Sequence, residues 1–382
     1  MEKFRKLWKS CPWAVLFAVF ILLYTGLDMT QTDRERSEME NRPLKTRPKL
    51  EWRVLMKGEY DERFDSYIND QFVGRDGWIT LKSCVESLLG KTENNGVIYG
   101  KDGYLFVKLD RLDEERYQDN LRYTKEFFEL YPELPVTFAI TPNAYMILED
   151  KVPYGVPLID QAAFGAEIYE LAPAHVSVLN LLEPLRAHKE EYIYYRTDHH
   201  WTVYGAYLAA QAYAQQKGME LPDFEIFEQN GRTIEGFYGT NYSKAKKVGT
   251  RPDTMLLPDI PMESVAVFGE EKPGLYDEEK LATRDKYAAY LWGNNNFTEL
   301  KAENNRYPAA DGHKTRVLLI KDSFGNSLAP FLTYLYDEVD IIDLRYVNKL
   351  SDYLRDAEYD DVLLLYNFES FVSDPYLSTL RY

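Results

Sequence analysis

From Val136 onwards, short apolar runs alternate with segments of helical spacing, and this alternation limits the possible folds more than any other feature of the chain. Val136-Thr137-Phe138-Ala139-Ile140, Val176-Ser177-Val178-Leu179-Asn180, Arg316–Ile320, Val339–Leu344 and Asp361–Tyr366 read as strands. Between them, Gln161–Leu171, Leu181–Lys189, the Ala-rich Thr202–Lys217, a segment from Phe324 and one near Asp352 read as helices. Tyr192–Tyr195 reads as extended chain. Strands that alternate with helices build parallel β-α units, so the expected class is α/β with a doubly wound, mostly parallel sheet. Functional residues in such sheets gather at the carboxyl ends of strands. Asn143, Asp198 and His200 are expected there.

The rhythm fails over residues 220–310. Strand-like runs at Glu225-Ile226-Phe227 and Ser264–Phe268 are separated by turns rich in Gly, Pro and Asn. An irregular insertion with a small sheet of its own is expected, lying over the domain. Upstream, Val97–Val107 reads as two strands around a glycine turn, and Leu112–Tyr131 as a helix. Glu59–Val73 and Gly77–Leu89 also have helical spacing, with Phe64, Tyr67, Ile68 and Phe72 on one face and Trp78, Leu81 and Val85 on another. Core packing is the expected role of these side chains.

The N-terminus bears on the compartment. Lys3, Arg5, Lys6 and Lys9 precede an uncharged run from Cys11 to Leu27, and charges resume at Asp28. Basic residues before an apolar stretch hold that end in the cytoplasm and send the downstream chain across the membrane. A cleaved signal peptide needs small residues at its cleavage site, and Thr25-Gly26-Leu27-Asp28 has no A-x-A pattern, which favours an uncleaved anchor. The expected layout is a basic end and signal-anchor helix over 1–29, a stalk over 30–57 and a catalytic domain over 58–382. That domain would lie outside the cytoplasmic membrane.

Composition narrows the partners. A net charge of -17 over 382 residues argues against nucleic acid and against an anionic membrane surface as main ligand. The 31 tyrosines and six tryptophans suit wet clefts and carbohydrate faces, although tyrosine is equally a core residue. With two cysteines, Cys11 and Cys84, neither a disulfide nor a cysteine metal site is expected.

Two of the five histidines stand together in Thr197-Asp198-His199-His200-Trp201-Thr202. A carboxylate beside an imidazole is a candidate orienter and base. The plainer reading is a polar strand end capping a helix at Thr202. A metal site at His199 and His200 is disfavoured, because neighbouring residues on extended chain point oppositely. In Lys321-Asp322-Ser323-Phe324, Ser323 ends a buried strand before a helix, where backbone N–H groups favour negative charge on a nearby oxygen. It is a candidate nucleophile or, more plainly, a helix cap. Together Asp198, His200 and Ser323 supply orienter, base and nucleophile.

Glu40-Asn41-Arg42 before a proline, Tyr99–Phe106, Thr141-Pro142-Asn143, Thr197–Thr202 and Lys321–Phe324 resemble, in this order, the motifs of the DHHW proteins. These are similar to the catalytic domains of alginate O-acetyltransferases, whose fold resembles that of SGNH esterases. The resemblance implies Asp198, His200 and Ser323 as a triad, with His200 rather than His199 as base. Lys321 stands where the SGNH nucleophile block has glycine, and the Asp/His block precedes the serine. The Ser323 N–H with a neighbouring first-turn N–H would form an oxyanion hole, with Asn143 as a further donor. His199, Trp201 and Tyr366 are candidate substrate-binding residues, the first two by shaping the site.

The resulting expectation is an extracytoplasmic O-acetyltransferase acting on a cell-surface polysaccharide through an acyl-enzyme, with no cofactor or metal. A membrane-bound acyl-transferring protein would deliver the acetyl group. An acetyl esterase of the same fold and a non-catalytic polysaccharide-binding or scaffold protein are the alternatives.

Overall fold

The computed structural model describes residues 11–37, 42–355 and 358–382. Lys3, Arg5, Lys6, Lys9, Glu40 and Asn41 lie outside the described residues. The chain divides into two compact units, residues 1–91 with 246–248, and residues 92–245 with 249–382.

In the first unit the apolar run forms α1 (Pro12–Thr30), with Pro12 in its first turn, where a missing N–H breaks no helical bond. Among the described residues it is the helix long and apolar enough to cross a membrane. After a short helical turn at Trp52–Met56 come two longer helices, α2 (Glu59–Gln71) and α3 (Arg75–Leu88). The core role expected for the α3 apolar face does not hold. Trp78, Leu81 and Val85 are 40%, 53% and 47% exposed. Helical periodicity reports a shared face but not what covers it.

The second unit opens with a three-stranded antiparallel sheet, β1 (Glu93–Asn94), β2 (Val97–Tyr99) and β3 (Leu105–Val107), followed by α4 (Glu114–Leu130). The alternating region then supplies β4 (Val136–Thr141), α5 (Gln161–Glu170), β5 (Ser177–Asn180) and α6 (Val203–Gln216). The insertion contains α7 (Phe224–Asn230), β6 (Arg232–Phe237), α8 (Thr240–Ala245), β7 (Asp253–Leu257), β8 (Met262–Val267), β9 (Glu270–Lys272) and β10 (Thr298–Ala302). Regular order resumes with β11 (Arg316–Lys321), α9 (Gly325–Leu332), β12 (Glu338–Ile342), β13 (Asp361–Asn367) and α10 (Phe368–Ser373).

The central sheet has eight strands in the order β9-β8-β10-β12-β11-β13-β4-β5. The five from β12 to β5 are parallel. The insertion differs from expectation in two ways. Its strands β8, β9 and β10 extend the main sheet antiparallel instead of lying over it. Only β6 and β7 pair as a small separate sheet. Glu225–Phe227, expected as strand, is helical in α7, because Phe224 and Phe227 recur at helical spacing. The result is a mixed α/β fold with a large, mostly parallel central sheet.

Alternate residues of the central strands face opposite cores. Val317 and Leu319 pack with Ala206, Ala210 and Tyr213 of α6 and Phe331 of α9. Leu318 and Ile320 pack with Phe127 and Phe128 of α4 and Phe371 of α10. Helices thus cover both faces. The strand β11 lies between β12 and β13, where the strand order reverses direction, and ligand crevices open beyond the carboxyl ends of strands at such points.

Candidate active site

At the carboxyl end of β11 the chain turns through Asp322-Ser323-Phe324 into α9. Asp322 fastens the turn: Oδ1 accepts the Phe324 N–H at 3.0 Å, and Oδ2 accepts the Asn367 N–H at 2.8 Å at the end of β13. Ser323 therefore precedes the helix by two residues and is not its cap; the cap position falls to Phe324. Of the N–H groups that could serve as the expected neighbouring oxyanion donor, that of Phe324 is already given to Asp322. The Gly325 N–H is likewise given to the Asp322 carbonyl at 3.1 Å.

Lys321 occupies buried space beneath this turn. Its Nζ donates to Asn294 Oδ1 at 3.0 Å and lies 3.5 Å from Asp343 Oδ2. Burial pulls its ammonium down to about 8, against the opposing pull of Asp343. A Cβ at Gly325 would stand 2.6 Å from the Lys321 Cβ, so the glycine makes room for the lysine stem.

The Asp198-His200 arm is not a strand end, as the extended reading of Tyr192–Tyr195 implied. It is a tight loop held by a single antiparallel bridge between Tyr194 and Trp201. Asp253 of β7 holds the loop's entrance: Oδ2 accepts the Thr197 N–H at 2.7 Å and the Thr197 hydroxyl at 2.6 Å, and Oδ1 accepts the Arg196 N–H at 3.1 Å. Beyond the loop, Thr202 caps α6 by accepting the Gly205 N–H at 3.2 Å. The capping role and the site therefore coexist.

Within the loop, Asp198 Oδ1 lies 2.5 Å from His200 Nδ1 and accepts the His200 N–H at 3.0 Å. Its Oδ2 accepts the Thr240 N–H at 2.7 Å. Burial pushes this carboxyl up, but the two neighbouring imidazoles and these hydrogen bonds outweigh it and hold the group well below the usual carboxylate range. On the other side of the ring, His200 Nε2 lies 2.7 Å from Ser323 Oγ. Carboxylate, imidazole and hydroxyl form one continuous hydrogen-bonded chain.

Sequence reasoning missed the residue that covers the imidazole. Tyr287, from the insertion, stacks on the His200 ring at 3.7 Å with 7° between planes. Its hydroxyl donates to the Ser323 carbonyl at 3.2 Å and lies 3.1 Å from Ser327 Oγ. Gly239 was missed as well: a Cβ there would come within 2.2 Å of Asp198 Cβ and Oδ2. Only a glycine lets the chain pass this close. Neither residue sits in a periodic segment, so neither carried a signal.

The other expected site residues divide. The His199 ring lies 3.9 Å from that of His200 and is 28% exposed, with Nδ1 3.5 Å from Asp198 Oδ1. Burial, and then the adjoining imidazole, pull His199 down to about 4. The two rings lie side by side and do not point oppositely: that expectation rested on extended chain, and the chain here is a tight loop. One donor atom from each of Asp198, His199 and His200 falls within 4.8 Å of the others. Both His200 nitrogens have hydrogen-bond partners, Asp198 on Nδ1 and Ser323 on Nε2.

Asn143 is 4% exposed; its Nδ2 donates one hydrogen to Glu369 Oε2 at 3.2 Å, and its Oδ1 accepts from Gln161 at 2.9 Å. Trp201 and Tyr366 are fully buried and present no face to a substrate. Trp201 Nε1 donates to the Phe324 carbonyl at 3.1 Å and to Ser327 Oγ at 2.9 Å, tying the histidine loop to the serine turn. Its role is packing, as expected of an indole whose N–H finds a buried partner.

A serine, imidazole and carboxylate linked in this way beyond a parallel sheet form the arrangement used in nucleophilic acyl transfer. The family model described as DHHW protein matches residues 160–342, and the motif resemblance to that family is thereby borne out. A probable alginate O-acetylase AlgJ of Pseudomonas syringae pv. tomato is 25% identical over 183 residues, 44% of this chain and 46% of the relative. The chain thus spans about half the length of that curated relative. Among solved structures, a DHHW family protein from Eubacterium siraeum matches with a TM-score of 0.62 at 22% identity, over 75% of this chain and 95% of that one. Bacillus cereus PatB1 with a sulfonyl adduct matches with a TM-score of 0.57 at 19% identity, over 75% and 98% respectively. Both share the fold.

Proposed function

We propose that this chain is an extracytoplasmic O-acetyltransferase that acts on a cell-surface polysaccharide through an acyl-enzyme on Ser323, on an SGNH-like scaffold. The observation that carries the reading is the pair of hydrogen bonds of His200, at 2.5 Å to Asp198 and 2.7 Å to Ser323. The relative named as an alginate O-acetylase supports the acyl-transfer class.

Chemically, Ser323 Oγ attacks the carbonyl carbon of an acetyl ester or thioester donor as its proton passes to His200 Nε2. Asp198 accepts the Nδ1–H, fixes the tautomer and stabilises the imidazolium. The donor's leaving group departs with the proton, and acetyl-Ser323 remains. A sugar hydroxyl then attacks this ester, gives its proton to His200, and regenerates Ser323. The Ser323 N–H is the oxyanion donor in this reading, since the Phe324 and Gly325 N–H groups are committed elsewhere. Water in place of the sugar makes the same site an esterase.

The N-terminal helix α1 is the anchor in this proposal, with residues 30–57 as stalk and a catalytic domain over 58–382 that carries the insertion. A membrane-bound acyl-transferring protein supplies the acetyl group, and no cofactor takes part. Incubation of the full chain with an activated acetyl ester, with and without oligosaccharide, tests the reading. Acetylated sugar formed at the expense of free acetate supports transfer. Acetate alone, whatever the acceptor, makes it an esterase, and neither product sinks both.

A further inference from the structure

Apart from the triad, the second unit carries a groove of about 690 Å³ beside α6 and α7. That volume lies within the range of roughly 300–1,000 Å³ usual for small-ligand sites. Its floor is aromatic. Tyr204 and Phe224 are half-buried and meet at 4.6 Å between ring centroids, and Tyr207, itself buried, lies nearly parallel to Tyr204 at 12° between planes. Its rim is acidic: Glu191, Asp223, Glu225 and Glu228 line it, and no lysine or arginine does so among the described residues. Hydrogen bonds from Tyr204 and His188 hold the Glu191 carboxyl below its ordinary range, which keeps it anionic at neutral pH. Glu225 and Glu228 are exposed and form no ion pair among the described residues.

We infer that this groove binds a saccharide bearing free amino groups. Flat apolar faces with polar edges fit the C–H faces and hydroxyls of a sugar ring. The unpaired carboxylates on the rim select a cation and repel a uronate, so the occupant is an amino sugar rather than an acidic polymer. Tyr192 and Thr202, which flank the Asp198-His200 loop, also line the groove. Ser323, His200 and Asp198 contribute nothing to its walls, so saccharide binding here does not depend on the acyl-transfer reading.

Calorimetric titration of the full-length chain in detergent tests it, with a glucosamine tetramer, an N-acetylglucosamine tetramer, a uronate tetramer and tetralysine as probes. The glucosamine tetramer should bind, weaken about tenfold at high salt, and weaken by a similar factor in Glu225→Gln/Glu228→Gln, whose exposed positions leave folding intact. Ser323→Ala should bind it as well as the unaltered chain does. Equal binding of the acetylated or uronate tetramer, unaltered binding in the double variant, or equal binding of tetralysine would each overturn the inference, the last by making the groove a cationic-peptide site. No binding of the glucosamine tetramer would overturn it too.

Discussion

His200 Nε2 and Ser323 Oγ lie 2.7 Å apart although 123 positions separate them in the chain. The histidine comes from a loop before α6 and the serine from the turn after β11. Two buried ties close that distance, the Trp201 indole on the Phe324 carbonyl and the Tyr287 hydroxyl on the Ser323 carbonyl. The geometry thus depends on residues that take no part in the proposed chemistry.

Asp198→Asn keeps the shape of the orienter and removes its charge. Loss of the correct imidazole tautomer should lower kcat on the order of 10³–10⁴-fold with little change in KM. Steady-state kinetics on a chromogenic acetyl ester measures this, and a change confined to KM would assign Asp198 to binding instead.

Tyr287 offers a graded test. Tyr287→Phe retains the stacked ring and loses the hydroxyl that holds the Ser323 carbonyl, so kcat should fall about tenfold, the scale of one hydrogen bond. Tyr287→Ala removes the stack and leaves a cavity, with a further loss of rate and about 3–5 kcal/mol of stability. Rates of the two variants that fall equally would show that the ring itself does not matter.

Gly239→Ala should disable the site without touching a reacting group. The added methyl would meet Asp198 within 2.2 Å, and either Asp198 or the Gly239 segment must move. We expect a rate loss of about 100-fold or more, as for a small displacement of a catalytic group, and about 1–3 kcal/mol of destabilisation from overpacking. Wild-type activity in this variant would contradict the close approach.

The depressed value at His199 has a consequence for stability. Its folded value is about 4, whereas an unfolded histidine takes a proton near its ordinary value of 6.5. The unfolded chain therefore binds the extra proton first, and stability falls as pH drops from about 6.5 towards 4, by up to about 1.4 kcal/mol per unit. Asp198, whose folded value is lowered, contributes stability that is present above its ordinary value and lost only under stronger acid. Urea denaturation at pH 7, 6 and 5 should give a shallower slope for His199→Asn than for the unaltered chain; identical slopes would remove His199 as the source.

The parts of this fold that were legible in the sequence carry periodic patterns. The strands β4, β11 and β13 read as near-continuous apolar runs, the mark of strands covered on both faces, and α6 announces itself through alanines and a threonine cap. Asp198, His200 and Ser323 were legible as chemistry, because few side chains can serve as orienter, base and nucleophile. Tyr287, Gly239 and Asp253 were not, since each acts through a contact that only the folded chain creates. Trp201 and Tyr366 were placed in the site because large aromatics near a strand end suit a ligand equally well. Burial alone separates the two roles, and no local pattern reports it. The insertion misled for a related reason: whether β8 pairs with its own hairpin or with the main sheet is decided at the edge of β12.

The most direct test of the central claim is to trap the acyl-enzyme. The full chain is mixed briefly with an activated acetyl ester, quenched in acid and mapped by peptide mass spectrometry. The expected result is a single acetyl group on the peptide that carries Ser323, absent in Ser323→Ala and formed far more slowly in His200→Ala. An acetyl group on another residue, or turnover of the ester with Ser323 unmodified in every sample, would contradict it.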